Sequence, residues 1–147
     1  MNEQPRVFVV ATDETGRYDD AVRKAATMAA EQQAKVILYD VSAPGSAFSD
    51  PRPNIWAGEG EREQYDHPLD PVALEHLGRH ALALQVQSAR QAGADAYGWL
   101  PEKDGADALA QYAARQHASL VLLPMDLDVP EIEKVEQAHN GVKVERV

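Results

Sequence analysis

The chain has 147 residues and a mass of 16.1 kDa, the size of one domain, which we assign to residues 1–147. It contains no cysteine, which excludes disulfides, thiolate nucleophiles and cysteine-ligated metal sites. Its 14 basic and 24 acidic side chains leave a net charge of −10, which repels nucleic-acid phosphates and anionic lipids. No apolar run approaches the roughly 20 residues of a membrane span, and the first residues lack the pattern of a signal peptide. We therefore expect a cytoplasmic protein that binds neither nucleic acid nor membrane.

The first part of the chain predicts a strand, a helix and a second strand. Residues 6–11 (RVFVVA) form an apolar, β-branched run that is typical of a strand buried on both faces. Valine and alanine then recur at three- and four-residue spacing over residues 18–33, which predicts a helix with Asp19 or Asp20 as its N-cap. Residues 35–41 (KVILYDV) predict the second strand, so the three elements form a βαβ unit.

Residues 42–71 predict a long loop, because they hold five of the nine prolines and show no period. Trp56 and Tyr65 lie in this loop. They could line a ligand pocket or contact a partner, but the simpler interpretation is that they pack the loop onto the second helix. A single second helix is predicted over residues 72–93. Its expected buried stripe consists of Leu74, Leu77, Ala81, Leu84 and Ser88.

The remaining chain predicts alternating strands and helices. A third strand is expected at residues 94–100 and a third helix at residues 104–117, with Asp104 as its N-cap. A fourth strand at residues 119–123 is followed by an acidic turn and by a helix that begins at Pro130. Residues 142–147 (VKVERV) alternate between apolar and charged side chains, which is typical of an edge strand. The fold class is therefore α/β, an open and mostly parallel five-stranded sheet with helices on both faces.

Three stretches of the sequence resemble the universal stress protein family. RVFVVATDETGRYDDAVRKAATMA resembles the first strand, acidic turn and first helix of the family, and KVILYDVSAP resembles its second strand and variable loop. EKDGADALAQYAARQHASLVLLP resembles the turn, alanine-rich third helix and fourth strand. The resemblance covers nearly all of the chain outside residues 42–71. It implies a Rossmann-like fold, of the adenine-nucleotide-hydrolase-like type, with strand order 3-2-1-4-5.

The segment after the fourth strand departs from the family pattern. Nucleotide-binding members carry a Gly-x2-Gly-x9-Gly-Ser/Thr loop there, whose backbone amides hold phosphates. This chain has PMDLDVP at residues 124–130, with no glycine, two carboxylates and two prolines that lack an amide donor. The family's aspartate after the first strand, which supports the adenosine, is matched by Asp13. The resemblance therefore implies a divergent member that lacks the phosphate loop.

Ligands of open α/β sheets bind beyond the carboxyl ends of the strands, where the strand order reverses. The implied order places this point between strands one and four, beside Thr12, Asp13, Val41 and Met125, which we take as the candidate cofactor-binding residues. No cofactor is expected. The alternatives are an adenine nucleotide near Asp13 and a divalent cation such as Mg²⁺ or Ca²⁺ held by Asp13, Asp126 and Asp128. The plainer interpretation of these carboxylates is a solvated acidic rim.

No catalytic group can be assigned. The sequence contains no Gly-x-Ser-x-Gly, no phosphate-binding P-loop and no Gly-x-Gly-x-x-Gly motif. His76 and His80 have the spacing of two ligands on one helix face, and they are interpreted as exposed residues rather than as a zinc site. His67, His117 and His139 are isolated in polar surroundings.

The leading hypothesis is a non-enzymatic domain that does not bind ATP and acts in stress response through protein contacts, as a homodimer joined at residues 142–147. The identity of any further protein partner cannot be predicted. The alternative is a protein that binds a nucleotide or small metabolite at the carboxyl ends of strands one and four. A metal-dependent phosphoryl-transfer enzyme is the third hypothesis.

Overall fold

The computed structural model describes residues 6–13, 16–41, 68–101, 105–125, 127, 129, 132–138 and 142–147. The strands within them are β1 (Val7–Thr12), β2 (Lys35–Asp40), β3 (Asp95–Trp99), β4 (Leu120–Leu123) and β5 (Lys143–Arg146). The helices are α1 (Asp19–Gln32), α2 (Pro71–His76), α3 (His80–Gln91), α4 (Gly105–Arg115) and α5 (Glu133–Ala138). The strands form one sheet in the order β3-β2-β1-β4-β5, and every neighbouring pair is parallel. The predicted fold class and strand order are confirmed.

Helices cover both faces of the sheet because successive side chains of a strand point in opposite directions. Val10 and Leu38 pack in one apolar cluster with Val22 of α1 and Leu82 of α3. Their neighbours in the strands, such as Val9 and Ile37, pack in a second cluster with side chains of α4 and α5. The central strands are therefore buried on both faces, as their uninterrupted apolar runs predict.

The predicted aspartate cap of the first helix is wrong. Tyr18 is the N-cap residue of α1, and its side chain makes no capping hydrogen bond. Asp19 and Asp20 lie instead in the first turn of the helix, where their charges still interact favourably with the helix dipole. The predicted cap at Asp104 and the helix start at Pro130 lie outside the described residues.

The single helix predicted over residues 72–93 is also wrong, because the chain forms α2 and α3 with a break at residues 77–79. Gly78 has a φ of +77°, a conformation that ends α2 and that glycine adopts without strain. The three non-helical residues shift the phase of the second helix, so the predicted stripe does not continue through it. Leu84 is 50% exposed, and the buried apolar face of α3 is formed by Leu82, Ala83, Val86 and Ala89.

The two edges of the sheet differ. At the β3 edge, Leu69 and Gly98 exchange two backbone hydrogen bonds of 2.8 Å in an antiparallel bridge. A Cβ atom on Gly98 would lie 2.8 Å from Leu74 Cδ1, so any larger residue there would force the buried Leu74 side chain of α2 to shift. At the other edge β5 pairs with β4, and no other described strand pairs with it. The predicted edge position of the last strand is confirmed.

Trp56, Tyr65, His67 and His139 lie outside the described residues. Among the helices that the structure describes, none is long and apolar enough to cross a membrane.

Candidate functional site

The strand order reverses at β1, which lies between β2 and β4, and the site is therefore at the carboxyl ends of these strands. Thr12 is in register with Asp40 of β2, and the amide of Val41 donates to the Thr12 carbonyl at 2.9 Å. The structure thus brings together Thr12, Asp13 and Val41, three of the four candidate cofactor-binding residues. Met125, the fourth, follows the carboxyl end of β4 and is 69% exposed.

A side chain from α3 holds the end of β1. Gln85 Oε1 accepts a hydrogen bond of 3.0 Å from the hydroxyl of the buried Thr12. Gln85 Nε2 donates to the Asp13 carbonyl at 3.3 Å and to Asp19 Oδ1 at 3.0 Å. One amide group therefore connects the last residue of β1, the residue after it and the first turn of α1.

The end of β2 is held by an ion pair inside the protein. Arg79 Nη2 donates to Asp40 Oδ2 at 2.6 Å, and both residues are buried. Arg79 is the N-cap residue of α3 and directly follows the left-handed Gly78. The break between α2 and α3 therefore brings a guanidinium group to the carboxyl end of β2, where its charge offsets that of Asp40.

The turn after β4 is closed by hydrogen bonds within the chain. The amide of Met125 donates to the Val147 carbonyl at 3.1 Å, and the amide of Leu127 donates to the Pro124 carbonyl at 3.1 Å. Arg146 Nη1 donates to the carbonyl of Pro124 at 3.0 Å and also to that of Leu127. The amides of Met125 and Leu127 are therefore used within the chain, and the carbonyls of Pro124 and Leu127 face a guanidinium group.

The structure leaves the metal hypothesis as a prediction. Asp13 is placed at the end of β1, while Asp126 and Asp128 lie outside the described residues. In the part of the chain that is described, no three histidine, aspartate or glutamate side chains come together as a metal site would require.

The histidine pair does not share one helix face as its spacing predicts. His76 ends α2 and His80 begins α3, so the break at Gly78 separates them. Both side chains are exposed, as expected, and Nδ1 of His80 lies 2.6 Å from Oε1 of Glu75. His117, another of the isolated histidines, is exposed at the end of α4.

The sequence does not predict a role for three polar residues of the site, because the pattern around each of them is only weakly informative. Gln85 stands three residues after Leu82 and four before Ala89, at the spacing of a buried helix face. Arg79 directly follows a glycine, which can end a helix. Arg146 belongs to an alternating edge strand, where a charged side chain is usually solvated.

Comparison with known proteins gives a consistent result. The model of the family described as "Universal stress protein family" matches residues 5–126. No curated protein matches the sequence. A universal stress protein from Archaeoglobus fulgidus matches with a TM-score of 0.57 and 18% identity, over 95% of this chain and 92% of that one.

Two further similar structures contain nucleotides. A universal stress protein in complex with cAMP matches with a TM-score of 0.59 and 20% identity, over 99% of this chain and 98% of that one. A universal stress protein from Archaeoglobus fulgidus in complex with dAMP matches with a TM-score of 0.54 and 15% identity, over 97% of each chain. At these identities the likeness establishes the fold.

Proposed function

Because this chain belongs to the universal stress protein family, we propose that it is a non-enzymatic domain that acts through protein contacts and does not bind ATP. The observation that carries this proposal is the closed turn after β4. The amides of Met125 and Leu127 are already donated to the carbonyls of Val147 and Pro124.

A triphosphate needs several backbone amides that point at its oxygens, because each phosphate is charged and strongly hydrated. In this turn Arg146 instead draws the carbonyls of Pro124 and Leu127 toward itself. Asp126 and Asp128 add two negative charges to the same short segment. The amides of Met125 and Leu127 are already donated within the chain, and the two carboxylates outnumber the single guanidinium of Arg146, so hydrogen bonding and charge both oppose a polyphosphate.

The protein contact that we propose first is a homodimer formed through β5. The amides of Lys143 and Val147 donate to β4, and backbone groups alternate in direction along a strand, so the amides of Val144 and Arg146 point to the outer edge. Two copies of such an edge related by a two-fold axis would pair as antiparallel strands. The partner that such a dimer would engage is a separate question.

A second candidate function is the binding of an adenine nucleotide with a single phosphate, or of a similar small metabolite. It is favoured by the similar structures that hold cAMP and dAMP, which each carry one phosphate. It is also favoured by the meeting of Thr12, Asp13 and Val41 at the switch point of the sheet. Such a ligand would not need the missing phosphate loop.

Calorimetry and thermal unfolding with ATP, AMP and cAMP, each with and without Mg²⁺, separate the two functions. The leading proposal predicts no heat of binding and no stabilisation by ATP. Stabilisation by AMP or cAMP that is lost in Asp13→Ala, but kept in the control Asp20→Ala, would support the second candidate. Asp20 suits the control because its side chain is 91% exposed. Bound ATP in the purified protein would contradict the leading proposal.

Sedimentation equilibrium over a range of protein concentrations tests the dimer. Val144→Pro removes an outward-pointing amide and keeps the bonds to β4, so we expect it to weaken association by at least about tenfold. Val144→Ala is the matched control, because it shortens the side chain and keeps the amide. A wild-type protein that stays monomeric at high micromolar concentration would contradict the dimer.

A further inference from the structure

Gln85 is a buried polar side chain on the face that α3 packs into the domain. It is 5% exposed and lies among the buried apolar residues Leu82, Val86 and Ala89 of the same helix. A hydrocarbon side chain of similar size would fill this position without the cost of burying an amide. The glutamine at this position is therefore explained by the hydrogen bonds that it makes and not by the volume that it fills.

The partners of Gln85 are far away in sequence and are all at the candidate site. Its amide accepts from Thr12 at 3.0 Å and donates to the Asp13 carbonyl at 3.3 Å. Its second donated bond, of 3.0 Å, goes to Asp19 at the start of α1. The three partners lie on both sides of the turn between β1 and α1, so Gln85 spans this turn from the helix layer.

The backbone direction at Asp13 follows from this contact. Because the carbonyl of Asp13 is held toward α3, rotation of the peptide that follows Asp13 would break the hydrogen bond that Gln85 Nε2 donates to it. The direction in which the Asp13 side chain leaves the backbone is thereby restricted. This side chain is the one that matches the adenosine-supporting aspartate of the family.

We propose that Gln85 is the positioning residue of the switch-point site: it holds the turn between β1 and α1 and so orients Asp13 toward a ligand. The ligand part of this inference rests on the second candidate function, the binding of an adenine nucleotide. The hydrogen bonds by which Gln85 connects β1 to α1 do not depend on any ligand.

Gln85→Glu tests this role because the new side chain is almost identical in shape and carries a titratable group. Two charged side chains of α1, Asp19 and Arg23, line the same groove of about 380 Å³ between α1 and α3, and the backbone carbonyl of Asp13 contacts the residue from the end of β1. Burial and the neighbouring Asp19 carboxylate both raise the pKa of a carboxyl at position 85, so it keeps its proton at mildly acidic pH and loses it as the pH rises. Protonated, it retains one donor and one acceptor; ionised, it repels Asp19.

Hydrogen exchange of a peptide covering residues 12–18 is the readout, with each variant compared with the wild type at the same pH. We expect Gln85→Glu, which keeps one of the two donated bonds when protonated, to exchange closer to the wild-type rate at about pH 5 than at about pH 8, where it should exchange at least about tenfold faster than the wild type. Gln85→Leu should exchange faster at both pH values, and the exposed control Gln87→Leu at neither. Equal exchange of Gln85→Glu and wild type at both pH values would overturn the proposal.

Calorimetry with AMP and cAMP on the same variants tests the ligand part. We expect the affinity of Gln85→Glu to lie closer to that of the wild type at about pH 5 than at about pH 8, where it should bind at least about tenfold more weakly than the wild type. Equal affinities at the higher pH, with altered exchange, would overturn the orientation of Asp13 by Gln85. A wild type that binds neither nucleotide would overturn the second candidate function and this ligand part, while the exchange result would still decide whether Gln85 holds the turn.

Discussion

Asp40 and Arg79 form an ion pair in a place from which water is largely excluded. Asp40 has 0% of its surface exposed and Arg79 has 9%, and their atoms are 2.6 Å apart. A buried charge loses most of its hydration, so each member of such a pair needs the other. The pair ties the end of β2 to the start of α3, next to the residues of the candidate site.

Removing the guanidinium group alone should therefore be costly. We expect Arg79→Met to lower the free energy of unfolding by about 3–5 kcal/mol, and the double variant Arg79→Met, Asp40→Asn to recover part of this loss. Urea unfolding of the wild type, Arg79→Met, Asp40→Asn and the double variant measures the loss and the recovery.

Arg23→Met is the matched control. Arg23 pairs with Asp20 at 3.3 Å, and their side chains are 62% and 91% exposed, so its loss should cost less than about 1 kcal/mol. Equal losses for Arg79→Met and Arg23→Met would contradict the importance of the buried pair.

Tyr97, on the edge strand β3, makes a pH-dependent contribution to the stability of the fold. Its pKa is raised above the ordinary value of 10.0, chiefly because its hydroxyl is hydrogen-bonded to Asp95 and further because it is partly buried. The positive charge of Arg90 acts in the opposite direction. Since the folded state holds this proton more tightly than the unfolded state, the contribution to stability is complete below about pH 10 and is lost as the pH rises through the pKa of the folded state.

The ultraviolet absorbance of tyrosinate measures this titration. The chain has five tyrosines, so the titration curve of Tyr97→Phe is subtracted from that of the wild type to isolate Tyr97. We expect Asp95→Asn to lower the pKa of Tyr97, because the acceptor that favours the neutral phenol loses its charge. An unchanged midpoint in Asp95→Asn would show that Asp95 is not the main cause of the raised pKa.

At the scale of elements, the break between α2 and α3 matters most for the site. It depends on Gly78, whose φ of +77° belongs to a region that other residues enter at a cost. A Cβ atom at this position would meet nothing within 4 Å, so the cost of a substitution would come from the backbone alone.

Gly78→Ala should therefore lower the free energy of unfolding by about 1–2 kcal/mol, while Gly78→Asn should cost less because asparagine tolerates this conformation better. Urea unfolding measures these losses, provided that the dependence of the unfolding free energy on urea concentration is the same in all three proteins. If alanine were accepted without loss, the chain at residues 77–79 would not keep the described conformation.

The strands could be predicted from the sequence to within about one residue, because β1, β2 and β4 are continuous apolar runs and β5 alternates between apolar and charged side chains. The helix over residues 72–93 could not, because apolar residues on both sides of Gly78 happen to match a single helical period. The Gln85 and Arg79 contacts were not predictable either. Their partners, Asp13 and Asp40, are 72 and 39 residues away, and only the assembled sheet brings them together.

The net charge of −10 acts on the whole molecule. Repulsion among the surplus carboxylates is stronger in the compact state than in the unfolded chain, and salt screens it. We therefore expect the melting temperature to rise between low salt and about 0.3 M NaCl, where the screening length falls below about 10 Å. Differential scanning calorimetry measures it, and a melting temperature that falls with added salt would show that attractive surface pairs outweigh the repulsion.

The unequal edges of the sheet set a limit on how far copies of the chain could join. Leu69 occupies the hydrogen-bonding groups of Gly98 on the β3 side, whereas β5 offers its outer amides. Pairing of two β5 edges would close after two chains and give a continuous ten-stranded sheet. Head-to-tail growth into a fibre would first require the Leu69 bridge to open.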